Sequence, residues 1–286
     1  MDNIPIRQIQ TVEKPSLLGR FNIRDIQELL GGNDLVQGLH RHNFFLLVFL
    51  KKGLGRHEID FTSYPVWDHS LFLLRPGQVH QLVLEAGSAG YLIQFDGDFC
   101  YSQNKSSQQL LRKASSRNYC GLGVEGFGKL DSILGFVLKE FAEKQEGFEE
   151  VIKSSLSIFF IELLRQRQTT EVSAADASAY TQEQLERFLE LLERHISENK
   201  QVSEYADMLN LSTYQLNAIT KTSLNKTASE LINGQLVLES KRQLLATSNQ
   251  VNQIAYQLGY EDVSYFIRFF KKQTGSSPEA FRNNFK

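Results

Sequence analysis

Hydrophobic residues in the first third of the chain occur in short groups separated by turn-forming residues. Residues 44–50 are apolar without interruption, a pattern typical of a strand that is buried on both faces. An alternating group follows at residues 57–61, and apolar groups follow at residues 71–74 and 91–95, with Gly and Pro between them. Such spacing predicts a small β-barrel or sandwich over about residues 20–100.

After Gly126 the spacing of apolar residues becomes helical. One amphipathic stripe occupies residues 130–141, and a second occupies residues 151–164. Two interpretations are open: both helices cover the β-domain, or the first helix supplies the seam of a dimer. Residues 166–181 are mostly small and polar without periodicity, which is typical of an interdomain linker.

A new helical pattern follows this linker. Thr181, with Gln184 three residues later, forms a capping-box pattern that predicts the start of a helix. The chain is therefore predicted to contain an N-terminal domain over residues 1–165 and an all-helical domain over residues 182–286.

Two segments of the C-terminal domain resemble each other at an offset of 49 to 50 residues. Each has a small residue in a first helix, then a residue that tolerates positive φ, then an apolar residue in a second helix. These residues are Ala206, Asn210 and Leu216 in the first copy and Ala255, Gly259 and Phe266 in the second. Two matches in register predict a pair of helix-turn-helix motifs, over about residues 202–223 and 251–272.

A single helix is predicted between the two copies, over about residues 227–246. Its length of roughly 20 residues corresponds to about 30 Å. Two recognition helices separated by this distance would reach successive major grooves on one face of DNA, which repeat about every 34 Å.

Net charge is distributed unevenly along the chain. The whole sequence carries −2, but residues 199–286 hold 10 Lys/Arg against 7 Asp/Glu, a net charge of +3. Residues 1–198 carry −5. An acidic body with a mildly basic end permits phosphate contacts by that end alone.

Three further features of the sequence indicate where in the cell the protein is located. The longest apolar run has seven residues, too short to span a bilayer, and the N-terminus shows no signal-peptide pattern. Cys100 and Cys120 lack metal-like spacing. We therefore expect a cytoplasmic protein without a membrane partner.

Residues 254–282, IAYQLGYEDVSYFIRFFKKQTGSSPEAFR, resemble the signature of the AraC/XylS family of transcription regulators, and the resemblance extends over roughly residues 199–286. The N-terminal half more loosely resembles the cupin-type arm of many members. The resemblance implies an α+β multidomain chain with two parts: an N-terminal cupin-like β-barrel with a helical extension, and a C-terminal all-α domain in which a linker helix joins two helix-turn-helix motifs.

The same resemblance implies a function. The chain is expected to be a sequence-specific regulator that binds double-stranded DNA as a homodimer and contacts RNA polymerase, with no enzymatic activity and no cofactor. Control by a small-molecule effector in the barrel is left open. Two other hypotheses are a metal-dependent cupin enzyme with an accessory helical domain, and a degenerate family member that acts through protein contacts.

In the second copy, the resemblance implies that one face of the recognition helix meets DNA. Arg268 is the strongest candidate, because its guanidinium can read guanine O6 and N7 or contact a phosphate. The aromatic residues Phe266, Phe269 and Phe270 are expected to face the core. The implied base contacts are Val263, Ser264, Ile267 and Arg268, and the implied phosphate contacts are Lys271 and Lys272.

The first copy departs from the family pattern. Thr220 stands where a core Phe is usual, Asn225 stands where a Gly usually ends the helix, and Gln235 replaces an Arg of the linker helix. Ala218 occupies a position that often carries a long polar side chain. The candidate DNA contacts here are Tyr214, Asn217, Ala218 and Lys221. We expect the second copy to contribute more to binding.

Histidines form the remaining candidate site. His40 and His42 precede one buried strand, and His80 follows another. In metal-dependent cupin enzymes a similar trio joins a Glu, but no carboxylate stands at the required spacing here, so we expect no metal, although three imidazoles alone would suffice for zinc or iron. The alternatives are hydrogen-bonded structural histidines or an effector pocket. Its candidate residues are His40, His42, His57, Arg75 and His80.

Overall fold

The protein is described here by a computed structural model, in which the chain forms two compact units. One unit spans residues 4–172, and the other spans residues 173–286 together with residues 1–3. Cys100 and half of the predicted linker, residues 171–178, lie outside the described residues. The described residues are 6–7, 20–97, 99, 105–170 and 179–284.

Two five-stranded sheets form the centre of the first unit. The first sheet has the strand order β1-β3-β8-β5-β6, and the second has the order β10-β7-β4-β9-β2. All pairings are antiparallel except that of β1 with β3. The strands are β1 (Ile6–Arg7), β2 (Phe21–Asp25), β3 (Leu35–His42), β4 (Phe45–Lys52), β5 (Gly55–Ile59), β6 (Thr62–Pro65), β7 (Ser70–Leu74), β8 (Val79–Leu84), β9 (Ala89–Phe95) and β10 (Tyr119–Gly121).

Strand β4 is buried on both faces, as its uninterrupted apolar run predicts. Leu46 and Val48 pack in a core that also contains Leu82 of the first sheet. The alternate residues Leu47 and Phe49 pack on the other face, against helices. The second sheet therefore lies between the first sheet and a helical layer, which explains why its central strand has no polar face.

Helices of the first unit cover the outer face of the second sheet. The apolar stripe of the helix over residues 124–143, which includes Leu130 and Leu134, packs in this core beside Leu156 and Phe160 of the following helix. Of the two open interpretations, the stripe thus covers the β-domain, so it is not available as a dimer seam. The helices are α1 (Ile26–Leu30), α2 (Lys105–Ser115), α3 (Val124–Glu143) and α4 (Phe148–Thr170).

Two predicted boundaries in the first unit were wrong. The strand predicted over residues 57–61 ends at Ile59, because Asp60 and Phe61 adopt positive φ values of 47° and 68° and form the turn into β6. Helix α4 extends into the predicted linker as far as Thr170. Its residue Arg167 is buried, and the guanidinium donates to the Ala114 carbonyl of α2 at 2.7 Å, which fixes this last part of the helix.

The second unit is entirely helical over its described residues. Helix α5 begins at Ala179 rather than at the predicted cap Thr181, because neither Ala179 nor Tyr180 opposes helix formation. The helices are α5 (Ala179–His195), α6 (Val202–Met208), α7 (Thr213–Leu224), α8 (Ala228–Ala246), α9 (Val251–Gln257), α10 (Val263–Thr274) and α11 (Pro278–Asn284). Helices α6–α7 and α9–α10 form two helix-turn-helix motifs joined by α8, which confirms the predicted fold class.

The turns of both motifs have the predicted backbone conformation. Asn210 has a φ of 55° and Gly259 a φ of 72°. The small residues Ala206 and Ala255 are buried at the helix crossings. Among the helices that the structure describes, none combines the length and apolar character needed to cross a membrane.

Candidate functional site

Helix α10 is the recognition helix of the second motif, and its two faces differ sharply. The Asp262 carboxylate caps its N-terminus by accepting a hydrogen bond from the Ser264 backbone, and Gly275 ends it with a φ of 81°. Phe266 and Phe270 are fully buried and anchor the inner face, while Phe269 is half-buried. The opposite face exposes Ser264, Ile267, Arg268, Lys271 and Lys272, and Val263 is half-buried.

Arg268 lies on this exposed face beside the acidic cap. Its guanidinium Nη2 is 3.8 Å from Asp262 Oδ2, and both side chains are more than 60% exposed. A solvent-exposed pair of this kind contributes little to stability. The guanidinium is therefore available to an external partner.

Helix α7 is the recognition helix of the first motif. Ser212 and Gln215 form a reciprocal capping box at its start. Tyr214 is 82% exposed, the most exposed large apolar side chain of the described chain. Ala218 and Lys221 are also exposed.

Asn217 differs from the other candidates of the first motif because its side chain is already engaged. Its amide donates to the Thr213 carbonyl at 2.9 Å, and its oxygen accepts from the Ala228 backbone N–H at 3.0 Å. Asn217 therefore ties α7 to the first turn of α8, where backbone N–H groups lack intrahelical partners. The structure gives this side chain a structural function.

The other departures of the first motif are accommodated locally. Thr220 is fully buried, and its hydroxyl donates to the Asn217 carbonyl at 3.2 Å. Asn225 adopts the left-handed conformation at the end of α7 with a φ of 53°, which Asn tolerates better than most residues. Gln235 is half-buried on α8.

Arg282 organises the end of the second motif, a function that sequence inspection did not assign. Its guanidinium donates to the Leu244 carbonyl at 2.8 Å and to the Asn249 carbonyl at 2.7 Å. These bonds connect α11 to the last turn of α8 and to the loop that follows it. The only sequence signal was that Arg282 closes the family-like stretch.

In the first unit, four of the five predicted pocket residues lie together on the inner face of the first sheet. His40, His42, His57 and His80 are all buried. His80 of β8 is opposite His40 of β3 on one side and opposite Ile59 of β5 on the other. His57 lies two residues before Ile59 in β5. The cluster, defined here as these four histidines, also contacts Phe72 of the second sheet through the His57 ring at 4.8 Å.

A bulge in β3 points two of these side chains inward. Gln37 pairs with Leu82, yet His40, three residues later, pairs with His80, so β3 contains one extra residue. Such a bulge changes which alternate residues face the interior. It also brings the Gly38 carbonyl within 2.7 Å of His40 Nδ1, which donates to it.

The imidazoles are linked edge to edge. His42 Nε2 lies 2.7 Å from His80 Nε2, and His80 Nδ1 lies 2.9 Å from His57 Nε2. Three further ring nitrogens are buried without a hydrogen-bond partner among the described residues: His40 Nε2, His42 Nδ1 and His57 Nδ1. His40, His42 and His80 each offer one ring nitrogen within 4.8 Å of the others.

Burial keeps these imidazoles neutral. Desolvation lowers the pKa of His40 to about 4 and the pKa values of His42 and His57 to about 3. It also lowers the pKa of His80 well below its ordinary value, and neighbouring histidines contribute to that shift. At neutral pH the cluster therefore presents lone pairs as well as N–H groups.

Two arginines flank this region differently. Arg75, the fifth predicted pocket residue, follows β7 in a turn where its backbone donates to Gln78 Oε1 at 2.8 Å. Arg7 pairs with His42 across β1 and β3, and its charge lowers the pKa of His40. Sequence inspection missed Arg7 because a two-residue strand has no detectable periodicity.

Comparison with known proteins gives two family matches. Residues 205–284 match a helix-turn-helix domain, and residues 31–115 match an AraC-like ligand-binding domain. The first match contains both recognition helices, and the second contains the histidine cluster.

Individual relatives align along most of the chain. The helix-turn-helix-type transcriptional regulator YfiF of Bacillus subtilis is 22% identical over 262 residues, which cover 87% of this chain and 79% of that protein. The transcriptional activator RhaS of Mannheimia succiniciproducens is 22% identical, with 85% and 88% coverage. Among solved structures, ToxT of Vibrio cholerae superimposes with a TM-score of 0.43 at 17% identity, covering 92% of this chain and 98% of that one.

Proposed function

The chain belongs to the AraC/XylS family of transcription regulators, with a helix-turn-helix domain and a ligand-binding domain. We therefore propose a separate function for each of its two units. The second unit reads duplex DNA, mainly through α10. The first unit binds an effector in the region of the histidine cluster. The matched relatives are regulators, so the hypothesis of a cupin enzyme has no support from them.

The observation that carries the DNA-reading proposal is the exposed face of α10. Arg268, Ser264 and Ile267 lie on this face, with Val263 half-buried at its start, in a helix anchored by buried aromatic rings. We assign base contacts to these four residues and phosphate contacts to Lys271 and Lys272.

The first motif contributes in a narrower way. Tyr214, Ala218 and Lys221 are exposed on α7 and remain proposed contacts. Asn217 is removed from this set, because using it for DNA would break its bonds to Thr213 and Ala228. The two halves of the module are therefore proposed to bind unequally.

Arg268→Ala tests the DNA-reading proposal. Fragments selected from genomic DNA by the wild-type protein provide the operator. If Arg268 contacts a base, the substitution costs about 1–3 kcal/mol of operator affinity and relaxes specificity at one position. Arg165→Ala on α4 is the control, because it removes the same charge from an exposed position of the first unit. Failure of the wild-type protein to select any fragment would overturn the proposal.

Homodimerisation and polymerase contact complete the proposal. With the stripe of α3 buried, the apolar residues available to a second copy include Ile158 and Ile161, one turn apart on α4 and 57% and 41% exposed. Ile158→Glu is expected to shift a dimer to a monomer in analytical ultracentrifugation, and an unchanged mass distribution would count against this surface.

A contact with RNA polymerase and a cytoplasmic location follow from the proposed action on a promoter.

A further inference from the structure

Three imidazole nitrogens converge inside the first unit. His40, His42 and His80 are each at most 4% exposed, and each offers a ring nitrogen within 4.8 Å of the other two. Together they lie on paired strands of one sheet, which hold their backbones rigidly. Sites built on strands are more precise than sites built on loops.

The hydrogen-bond partners of these rings determine which nitrogen carries a lone pair. The Gly38 carbonyl can only accept, so His40 Nδ1 carries the hydrogen and Nε2 is a lone pair. That Nε2 is buried and has no donor among the described residues. His42 Nε2 and His80 Nε2 face each other at 2.7 Å, so at least one of them must also present a lone pair.

We propose that His40, His42 and His80 form a site for one divalent transition-metal ion, coordinated by Nε2 of each imidazole. An ion at about 2.0–2.1 Å from each nitrogen requires N···N separations of roughly 3.3 Å in a tetrahedral arrangement. The observed 2.7 Å between His42 and His80 and the 4.8 Å limit for the trio bracket this value. Binding therefore requires the Nε2 atoms of His42 and His80 to move apart by about 0.6 Å from the observed 2.7 Å.

Two neighbouring groups act as orienting partners. The Gly38 carbonyl fixes the ring of His40, and His57 Nε2, at 2.9 Å, accepts from His80 Nδ1 when His80 uses Nε2 as a ligand. A ligating imidazole in a protein usually donates its second N–H in this manner. His57 is thus a positioning residue.

The donor set selects the class of ion. Neutral imidazoles suit Zn²⁺, Fe²⁺, Ni²⁺ or Cu²⁺, whereas Mg²⁺ and Ca²⁺ prefer oxygen ligands. Three protein ligands leave one coordination position for water or a small anion. Arg7, a cation whose charge lowers the pKa of His80, is exposed on β1, and solvent reduces its effect. The sequence-based expectation of no metal rested on the missing carboxylate. The proposal departs from that expectation because three buried imidazoles converge.

The metal site coincides with the effector site proposed above. Its regulatory meaning rests on that proposed function, but metal binding is measurable without DNA. Tag-free full-length protein is stripped with a chelator and titrated with Co²⁺, a spectroscopic substitute for zinc. We expect one Co²⁺ per chain, with visible absorption from nitrogen ligands and no thiolate charge-transfer band.

Substitutions locate the site. His42→Gln and His80→Gln should weaken Co²⁺ binding more than about 100-fold, while His57→Gln should weaken it roughly 10- to 100-fold and keep the visible spectrum. His195→Gln in the second unit is the matched control and should change nothing. Circular dichroism checks that each variant is folded.

Three outcomes would overturn the proposal: no uptake by wild-type protein, a thiolate spectrum, or full binding by folded His42→Gln and His80→Gln. The first two need only the wild-type protein, so the test holds even if a variant fails to fold. Operator affinity with and without the ion is measured separately. An ion that binds but leaves operator affinity unchanged supports the site and contradicts only its function as effector.

Discussion

At the scale of single residues, several polar side chains of the DNA-binding unit are committed to the fold. Asn217 uses both ends of its amide, and Thr220 satisfies its hydroxyl on the helix it belongs to. A buried polar group without such a partner costs about 1–3 kcal/mol. The departures of the first motif from the family pattern are therefore compatible with a well-formed helix pair.

Asn217→Ala is predicted to act on stability. The substitution removes the acceptor for the Ala228 N–H at the start of α8, and we expect a loss of about 1–2 kcal/mol in the free energy of unfolding. Urea denaturation monitored by circular dichroism measures it. Tyr214→Ala, on the exposed face of the same helix, should change stability by less than about 0.5 kcal/mol. Equal stability of the two variants would contradict the structural function of Asn217.

At the scale of elements, the turns of the two helix-turn-helix motifs share a conformation but differ in packing. Asn210 and Gly259 both have positive φ. At Gly259, however, an added Cβ would also collide with the Ser197 carbonyl oxygen, so only glycine fits. Lys200 strengthens this close approach by donating to the Gly259 carbonyl at 2.7 Å.

Gly259→Ala is therefore predicted to be more destabilising than the same change at another positive-φ glycine. Gly275 has a φ of 81° but nothing within 4 Å of an added Cβ, so Gly275→Ala should cost only the conformational term of about 1–2 kcal/mol. Gly259→Ala should cost at least about 1 kcal/mol more, because backbone must also move. Urea denaturation of both variants provides the comparison. A smaller loss at Gly259 than at Gly275 would refute the packing argument.

The β3 bulge is a second feature at this scale. It determines that His40 and His42 face the interior, and it places the Gly38 carbonyl against one of them. A single extra residue in the strand thus assembles a cluster from three separate strands. Bulges are known to direct side chains in this way near functional sites.

At the scale of the whole molecule, the charge separation predicted from the sequence agrees with the division into two units. The part of the chain that carries net positive charge, residues 199–286, belongs to the unit that contains both recognition helices. DNA binding should therefore weaken steeply as salt increases, because phosphate contacts release counterions.

Lys271→Gln is predicted to reduce this salt dependence. If Lys271 meets a phosphate, the slope of log K against log salt should fall in magnitude by about 1, with affinity lowered to a similar degree for all sequences. Fluorescence anisotropy over a salt series measures the slope. Lys139→Gln, at an exposed position of α3 in the first unit, is the control with the same change in overall charge. An identical slope for the two variants would show that Lys271 makes no phosphate contact.

The helix-turn-helix repeat could be predicted from the sequence alone. Its signals are local: apolar periodicity, a residue suited to positive φ, and helix caps all act within a few neighbouring positions. The doubly buried β4 was readable for the same reason. These elements predicted a β-domain followed by a helical domain, and the family resemblance implied the complete fold class.

Only the tertiary structure decided the features that join distant residues. The histidine cluster combines positions 40, 42, 57 and 80, and its geometry depends on strand register and on a bulge that carries no sequence signal. Likewise, the bond of Asn217 to Ala228 and the proximity of Arg7 to His42 arise from packing between elements. Local periodicity specifies which face of an element is buried, but it does not specify which element packs against that face, because the partner depends on how all elements of the chain pack together.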